Sequence, residues 1–303
     1  MIRRASTALA FAALMLHAAV ALPQGRDFSK VEIKTTKVAE SVYMLEGSGG
    51  NIGVYAGREW VLVIDDEFAP LTDKIKAAIT AISDKPIRFL FNTHFHGDHT
   101  GGNENFAKAG VAIVAHDNVR KRLSTEQYNA IFDRKTPPSP DVALPIVTFN
   151  DSVTFHLDGE DITCFHAPNA HTDGDAIVWF RKANVFHTGD CLFNGFYPLI
   201  DVSAGGSAAG LIAAADRMLK VVSADTKLIP GHGPLATRKD LEAFRDMMVK
   251  AQGRVKDLVA AGKSLDDIEK AKPLADLDAT WAKGFITPDV FLKELYMDLS
   301  RGK

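Results

Sequence analysis

The chain has 303 residues, of which 46% are hydrophobic and 24% are charged, and its formal net charge is −3 at pH 7. That length is enough to bury one large core or two smaller ones. Because the sequence contains no basic block, the composition argues against nucleic-acid binding and favours a small-molecule partner.

The N-terminus has the pattern of a secretory signal. Arg3 and Arg4 precede an uncharged, mostly apolar segment, and Ala19 and Ala21 flank a valine in the arrangement of a cleavage site. The apolar run is too short and too rich in alanine for a comfortable membrane span, although an uncleaved anchor is the alternative. We predict that residues 1–21 are removed and that the mature protein is secreted, to the periplasm, with no membrane attachment.

Predicted strands and helices alternate along the first half of the mature chain. Ile75, Ile79 and Ile82 recur at helical spacing. The proline-rich segment 135–145 predicts a loop. Strands are predicted at 41–47, 51–57, 59–66, 86–92 and 111–116, and helices at 70–83, 103–110 and 117–123.

The second half repeats this alternation and then becomes helical. The apolar stripe of the C-terminal segment includes Leu241, Phe244 and Met248. We therefore predict an α/β architecture of packed layers, with residues 22–235 as the main domain and residues 236–303 as a helical extension packed on it. Strands are predicted at 153–157, 161–167, 176–181, 184–189 and 227–232, and a helix at 207–219.

The segment "NTHFHGDHTGG", residues 92–102, crowds four possible metal ligands behind a predicted strand. His94 and His96 are two residues apart, so in an extended segment they point the same way, and Asp98 continues that phase. A tight turn at Gly97 would bring Asp98 and His99 to a second, nearby centre. Imidazole and carboxylate groups suit zinc, and iron or manganese less specifically. The alternative is a polar loop that happens to be rich in histidine.

Three further candidate ligands follow predicted strands downstream. They are His171 in "APNAHTDGD", Asp190 in "VFHTGDCLF" and His232 in "LIPGHGP". Strand-to-loop junctions are the usual place for site residues in layered α/β folds. One metal ion needs about three protein ligands and a water. The segment 92–102 supplies too many ligands for one ion and too few for two, and the three downstream residues complete the second set.

These motifs, in this order, resemble those of the metallo-β-lactamase superfamily over residues 38–234. The resemblance implies a four-layer αβ/βα sandwich with a two-metal site, two zinc ions or alternatively iron or manganese, at one edge of the sheets. Transferred residue by residue, the implied ligands form two sets that share one bridging aspartate: His94, His96 and His171; Asp98, His99 and His232; and the bridging Asp190.

The resemblance also concerns residues around these ligands. Asp65 matches an early aspartate that supports the site from behind the ligands, with Asp66 and Glu67 as alternatives. Cys191 adjoins the implied bridging aspartate and is expected to point into the core rather than to bind metal. Whether Cys191 pairs with Cys164 is left open by the sequence.

Residues after the implied bridging aspartate are candidates to contact substrate. Asn194, Phe196 and Tyr197 in "LFNGFYP" offer amide and aromatic groups that could line a cleft, and a packed loop is the alternative.

The activity that the resemblance implies is zinc-dependent hydrolysis. A metal-bridging hydroxide would attack a carbonyl group of a β-lactam, lactone, ester or thioester, and Asp98 would orient it as the catalytic residue. β-Lactamase-like activity is therefore expected. A lactonase or a glyoxalase II-like thioesterase is the alternative, and a catalytically silent metal-binding protein is the alternative from another class.

Overall fold

The computed structural model describes residues 27–301, so the predicted signal segment 1–21 lies outside the described residues. The described residues from Val31 onward form one compact unit. No helix among the described residues is both long and apolar enough to cross a bilayer.

One sheet is formed by seven strands from the first half of the described chain. Its first four strands are antiparallel neighbours, and the last three run parallel to the fourth. The fourth strand, Val61–Ile64, is buried along its whole length, as expected of a central strand covered on both faces. In sheet order the strands are β1 (Lys34–Lys37), β2 (Val42–Glu46), β3 (Ile52–Ala56), β4 (Val61–Ile64), β5 (Ile87–Asn92), β6 (Ala112–His116) and β9 (Val147–Phe149).

A second sheet of five strands comes from the second half, and a small hairpin stands apart from both sheets. The second sheet is antiparallel except for the parallel pair β13–β14. Its strands are β10 (Ser152–Leu157), β11 (Glu160–His166), β12 (Ala176–Phe180), β13 (Val185–His187) and β14 (Lys227–Ile229), and the hairpin is β7 (Gln127–Asn129) with β8 (Arg134–Thr136).

Helices connect the strands and make up most of the C-terminal region. Ser207 caps α5 by accepting a hydrogen bond from Gly210, and Thr237 with Asp240 forms a capping box that starts α6. The helices are α1 (Thr72–Ile82), α2 (Gly97–Thr100), α3 (Asn103–Lys108), α4 (Asp117–Leu123), α5 (Ala208–Leu219), α6 (Arg238–Ala260), α7 (Leu265–Ala271), α8 (Ala275–Trp281) and α9 (Pro288–Leu299).

The two sheets pack face to face, with helices outside each. Ile64 and Phe91 of the first sheet share one apolar cluster with Ile162 and Val178 of the second. A separate cluster joins the other face of the second sheet to α5, α6 and α9, and α3 and α4 contact β6 of the first sheet. Burial of these faces is the main stabilising contribution. The predicted αβ/βα sandwich with C-terminal helices is confirmed.

The structure departs from the predicted elements at the polar strands. The predicted loop 135–145 begins inside β8 and includes a short 3-10 turn, Asp141–Ala143. Strands β1, β7, β8 and β9 were not predicted. Each has only three or four residues, which is too few to show the alternation of apolar and polar residues that predicts a half-buried strand.

The topology brings the candidate site to one edge. Strands β4 and β5 are parallel, and they end just before Asp65 and His94. Strands β11, β13 and β14 point the same way as one another, and they end shortly before His171, Asp190 and His232. Loops that follow parallel strands meet at the same end of a sheet, where the rigid sheets hold the side chains they carry.

Candidate metal centre

Four candidate ligands form the first group. His94, His96, His171 and Asp190 each offer one ligand atom, and these atoms all lie within 4.8 Å of one another. Nε2 of His171 is 2.8 Å from Nδ1 of His96. The carboxylate oxygen Oδ2 of Asp190 is 3.7 Å from Nε2 of His94 and 3.4 Å from Nε2 of His171.

Three candidate ligands form a second group beside the first. It consists of Asp98, His99 and His232. The Nε2 atoms of His99 and His232 are 3.3 Å apart, and Nε2 of His232 is 3.3 Å from Oδ2 of Asp98. Asp190, a member of the first group, also lies next to the second group. Its Oδ1 is 3.1 Å from Nε2 of His99, and its Oδ2 is 3.5 Å from Nε2 of His232. The structure therefore assembles all seven predicted ligands, with Asp190 between two sets of three.

A change of backbone conformation separates the two groups. His96 is extended and lies at the N-cap of α2, the single helical turn that carries Asp98 and His99. Gly97 does not have a positive φ, and a β-carbon there would meet open space, so the turn does not require the glycine. A glycine is required at position 50, where a β-carbon would lie 2.0 Å from the His99 ring.

Asp65 supports the second group from behind. Its Oδ2 lies 2.8 Å from Nδ1 of His99, and it also accepts hydrogen bonds from the backbone and hydroxyl of Thr93. This contact leaves Nε2 of His99 directed at the other ligands. Asp66 and Glu67, the alternatives, instead accept hydrogen bonds from backbone amides of glycine and serine residues.

Asp201 makes the same kind of contact in the first group, and sequence reasoning missed it. Its Oδ2 lies 2.9 Å from Nε2 of His96, and its Oδ1 accepts a hydrogen bond from the backbone of Ala204. Both side chains are largely buried, at 5% and 17% exposure. Because Asp201 occupies Nε2, it is Nδ1 of His96 that faces His171.

The arrangement of nitrogen atoms fits a bound cation. Nδ1 of His171 donates to the backbone oxygen of Leu199, and Nε2 of His96 donates to Asp201. When both rings are neutral, the two remaining nitrogens, which lie 2.8 Å apart, therefore both carry lone pairs. Nε2 of His94 is buried and has no hydrogen-bond partner among the described residues. Facing lone pairs and a buried unpaired nitrogen are costly unless a positive ion lies between them. The residues therefore fit a metal.

The charge states of the ligands support the same conclusion. Burial lowers the pKa of His171 to about 4 and that of His94 well below its ordinary value, so both rings are neutral near pH 7 and can bind metal. In the second group burial also opposes charge, but the Asp190 carboxylate outweighs it and raises the pKa of His232 to about 9. This carboxylate-rich pocket stabilises positive charge.

Three of the ligands reach the protein surface. The side chains of Asp98, His96 and His232 are 30%, 17% and 12% exposed, whereas Asp190 is 4% exposed and His94 is fully buried. A substrate would therefore approach over Asp98 and His232.

The three residues predicted to line a cleft differ in their burial. Tyr197 is fully buried, stacks on Phe291 and donates a hydrogen bond to Asp278, so the prediction that it faces substrate is wrong. Its ring is covered by α9, the helix that carries Phe291. Asn194 and Phe196 are partly exposed, and Asn194 donates to the backbone oxygen of Pro234.

The other histidines among the described residues, and both cysteines, lie outside the two groups. His116 and His166 stack on each other with ring centroids 3.8 Å apart, and His156 is exposed beside Asp161. Cys164 and Cys191 are buried free thiols.

Comparisons with known proteins give one family and one fold. A sequence model of the metallo-beta-lactamase superfamily matches residues 45–232. A hydroxyacylglutathione hydrolase from Nitrosococcus oceani is 27% identical over 144 residues, 47% of this chain and 47% of that protein. The chain thus matches about half the length of that curated relative.

Similar solved structures include two metallo-beta-lactamases and a sulfatase, each 18% identical to this chain. The metallo-beta-lactamase from Pontibacter korlensis has a TM-score of 0.59 and covers 72% of this chain and 99% of its own. The DIM-1 metallo-beta-lactamase has a TM-score of 0.60 and covers 73% and 100%. A double mutant of the sec-alkyl sulfatase PisA1 has a TM-score of 0.65 and covers 87% and 50%. At this identity the likeness shows the fold.

Proposed function

Because the chain belongs to the metallo-beta-lactamase superfamily, we propose that it is a dinuclear metal-dependent hydrolase that acts on a carbonyl group. The observation that carries this proposal is the pair of three-ligand sets sharing Asp190 at one open edge of the sheets. The nitrogen and oxygen donors suit zinc, with iron or manganese as alternatives. The proposal includes secretion to the periplasm, for which the pattern of residues 1–21 is the support.

The residues of the chain would divide the work of hydrolysis. When bound, the two metal ions lower the pKa of a water and stabilise negative charge on the carbonyl oxygen. His94, His96 and His171 would hold one ion, and Asp98, His99 and His232 would hold the other. Burial raises the pKa of Asp98, but the adjacent His99 outweighs that effect and keeps the pKa far below its usual range. The ionised Asp98 can therefore accept a hydrogen bond from the attacking water and orient it.

The substrate is a β-lactam, lactone, ester or thioester. The likeness of fold to metallo-beta-lactamases supports β-lactam hydrolysis, and the partial match to a hydroxyacylglutathione hydrolase supports a thioester. A lactonase is a further candidate, because the attack on a ring ester needs the same groups.

The test is an activity panel on the metal-loaded protein. A chromogenic cephalosporin, a lactone and a thioester are assayed with the wild type, with His96→Ala and with the control His156→Ala, whose side chain is 76% exposed. We expect turnover of at least one class, lost in His96→Ala and kept in the control. Full activity of His96→Ala would refute the proposal, and a protein that binds two ions but turns over no class would be a silent metal-binding protein.

A further inference from the structure

Three phenylalanine rings stand beside the second group of ligands. Phe193 stacks on His232 with ring centroids 5.2 Å apart, and Phe285 meets the same imidazole ring at 5.5 Å. Phe196 lies 6.0 Å from Phe193 and 6.5 Å from Phe285. We call Phe193, Phe196 and Phe285 the phenylalanine wall.

Exposure increases across the wall toward solvent. Phe193 is fully buried, Phe196 is partly exposed, and Phe285 is 54% exposed. A half-exposed phenylalanine contributes less hydrophobic free energy to folding than a buried one does. Its position beside His232, on the open side of the site, gives the exposed ring a surface that a ligand could cover.

The backbone on either side of Phe285 is held by packing and by a hydrogen bond. Ile286 is fully buried, and the backbone oxygen of Trp281 accepts a hydrogen bond from the Tyr197 amide at 2.8 Å. Gly284 approaches so closely that a β-carbon there would lie 2.6 Å from the Phe196 ring. This segment between α8 and α9 therefore holds the wall in place from the C-terminal side.

We propose that the phenylalanine wall binds an apolar alkyl or aryl substituent of the substrate while its carbonyl group lies at the metal centre. Aromatic faces offer large apolar area and no hydrogen-bond donor, so they favour apolar groups over anionic ones. Phe285 lies beyond residues 45–232, so the C-terminal helical segment contributes to substrate selection. This inference rests on the proposed function and narrows its substrate class to carbonyl compounds with an apolar substituent.

The test uses inhibitors that separate metal binding from wall binding. Straight-chain hydroxamic acids, from acetohydroxamic to octanohydroxamic acid, bind metal ions through one end and extend an alkyl chain from the other. Their dissociation constants for the zinc-loaded protein are measured by calorimetry. Burial of each methylene group on the wall should tighten binding about two- to fourfold.

Variants of Phe285 test whether this increase in affinity per methylene group depends on its ring. Phe285→Ala should lose most of the gain per methylene group while binding acetohydroxamic acid like the wild type, and Phe285→Leu should keep part of the gain. The control is Val249→Ala, which removes another exposed apolar side chain, 46% exposed on α6; it should bind all members like the wild type.

The outcomes distinguish this inference from the proposed function. If acetohydroxamic acid binds but longer chains bind no better, the wall does not recognise apolar groups and the hydrolase proposal stands. The same holds if Phe285→Ala keeps the full gain. If acetohydroxamic acid does not bind the zinc-loaded protein at all, the metal centre and the proposed function both fail.

Discussion

Replacing Asp201 with alanine removes the carboxylate that holds one ligand of the first group in place. Asp201 accepts from Nε2 of His96 at 2.9 Å, in surroundings where both side chains are largely buried. Burial lowers the pKa of His96, but the hydrogen bond from Asp201 and its charge outweigh that effect, so the net shift is upward. Without the carboxylate the ring can rotate, or its proton can move to Nδ1, and both changes withdraw Nδ1 from the metal.

The expected loss of metal affinity follows from this geometry. A buried hydrogen bond to a charged group contributes about 1.5–3 kcal/mol, which corresponds to roughly 10- to 100-fold in a dissociation constant. Removing a hydrogen-bond partner of a metal-binding histidine typically weakens metal binding by about 10- to 100-fold. Asp201→Asn retains one of the two acceptor oxygens, so its loss should be smaller than that of Asp201→Ala.

The assay is a stepwise titration of zinc into metal-free protein against a chromophoric chelator. We expect Asp201→Ala to weaken one of the two binding steps and leave the other within about threefold. Asp298→Asn is the control, because Asp298 also accepts a backbone hydrogen bond, from Ala208, but contacts no ligand. Nitrogen chemical shifts of His96 should also change in the Asp201 variant. Unchanged affinities at both steps in Asp201→Ala would refute the reasoning.

Three further predictions concern the ligands, a glycine and a buried acid. In the same titration, Asp190→Ala should weaken both binding steps because its oxygens lie near nitrogens of both groups, whereas His232→Ala should weaken only one. Gly50→Ala should lower the zinc affinity of one binding step by about tenfold or more, because the added β-carbon would overlap the His99 ring. The control is Gly253→Ala, where the β-carbon would meet open space on α6; this variant should bind metal normally, and the helix should be more stable by about 0.5–1 kcal/mol. Burial raises the pKa of Glu294 well above 4.5, so its contribution to stability is present below that pH and is lost as the pH rises toward the folded-state pKa. The free energy of unfolding of Glu294→Gln relative to wild type, from urea denaturation between about pH 5 and pH 8, should therefore increase with pH, by at most about 1.4 kcal/mol per unit.

Each of these predictions has a contrary result. Loss of both binding steps in His232→Ala would mean that the ligands act as one centre. Normal metal binding by Gly50→Ala would show that the loop moves away without consequence. A stability difference for Glu294→Gln that does not vary with pH would show that Glu294 keeps an ordinary pKa in the folded chain.

The sequence predicted the parts of the fold that repeat a pattern. Buried strands such as β4 and β5 are short apolar runs next to turns, and α1 places Ile75 and Ile79 on one face. The exposed hairpin β7–β8 has no such pattern, because its side chains meet water on most sides. Ordered motif spacing likewise brought seven candidate ligands to attention, and the structure places them together.

Sequence patterns could not predict the residues whose position at or away from the site depends on tertiary contacts. Asp201 lies 105 residues from His96, between Ile200 and Val202, and no motif in its neighbours marks it as a site residue. Phe285 joins the site only because α8 and α9 pack into the apolar cluster that also contains Phe193. Tyr197 was predicted to face the cleft because it follows Asp190 closely, yet the chain turns its ring into the core. Its burial depends on α9, which is about a hundred residues away in sequence.

The number of metal ions per chain tests the central claim most directly. Purified protein is saturated with zinc, freed of unbound metal and measured by elemental analysis, with Asp190→Ala alongside. Two ions per chain in the wild type, and a clear loss in the variant, are expected from two ligand sets that share one aspartate. One ion or none per wild-type chain at saturation would contradict the dinuclear centre.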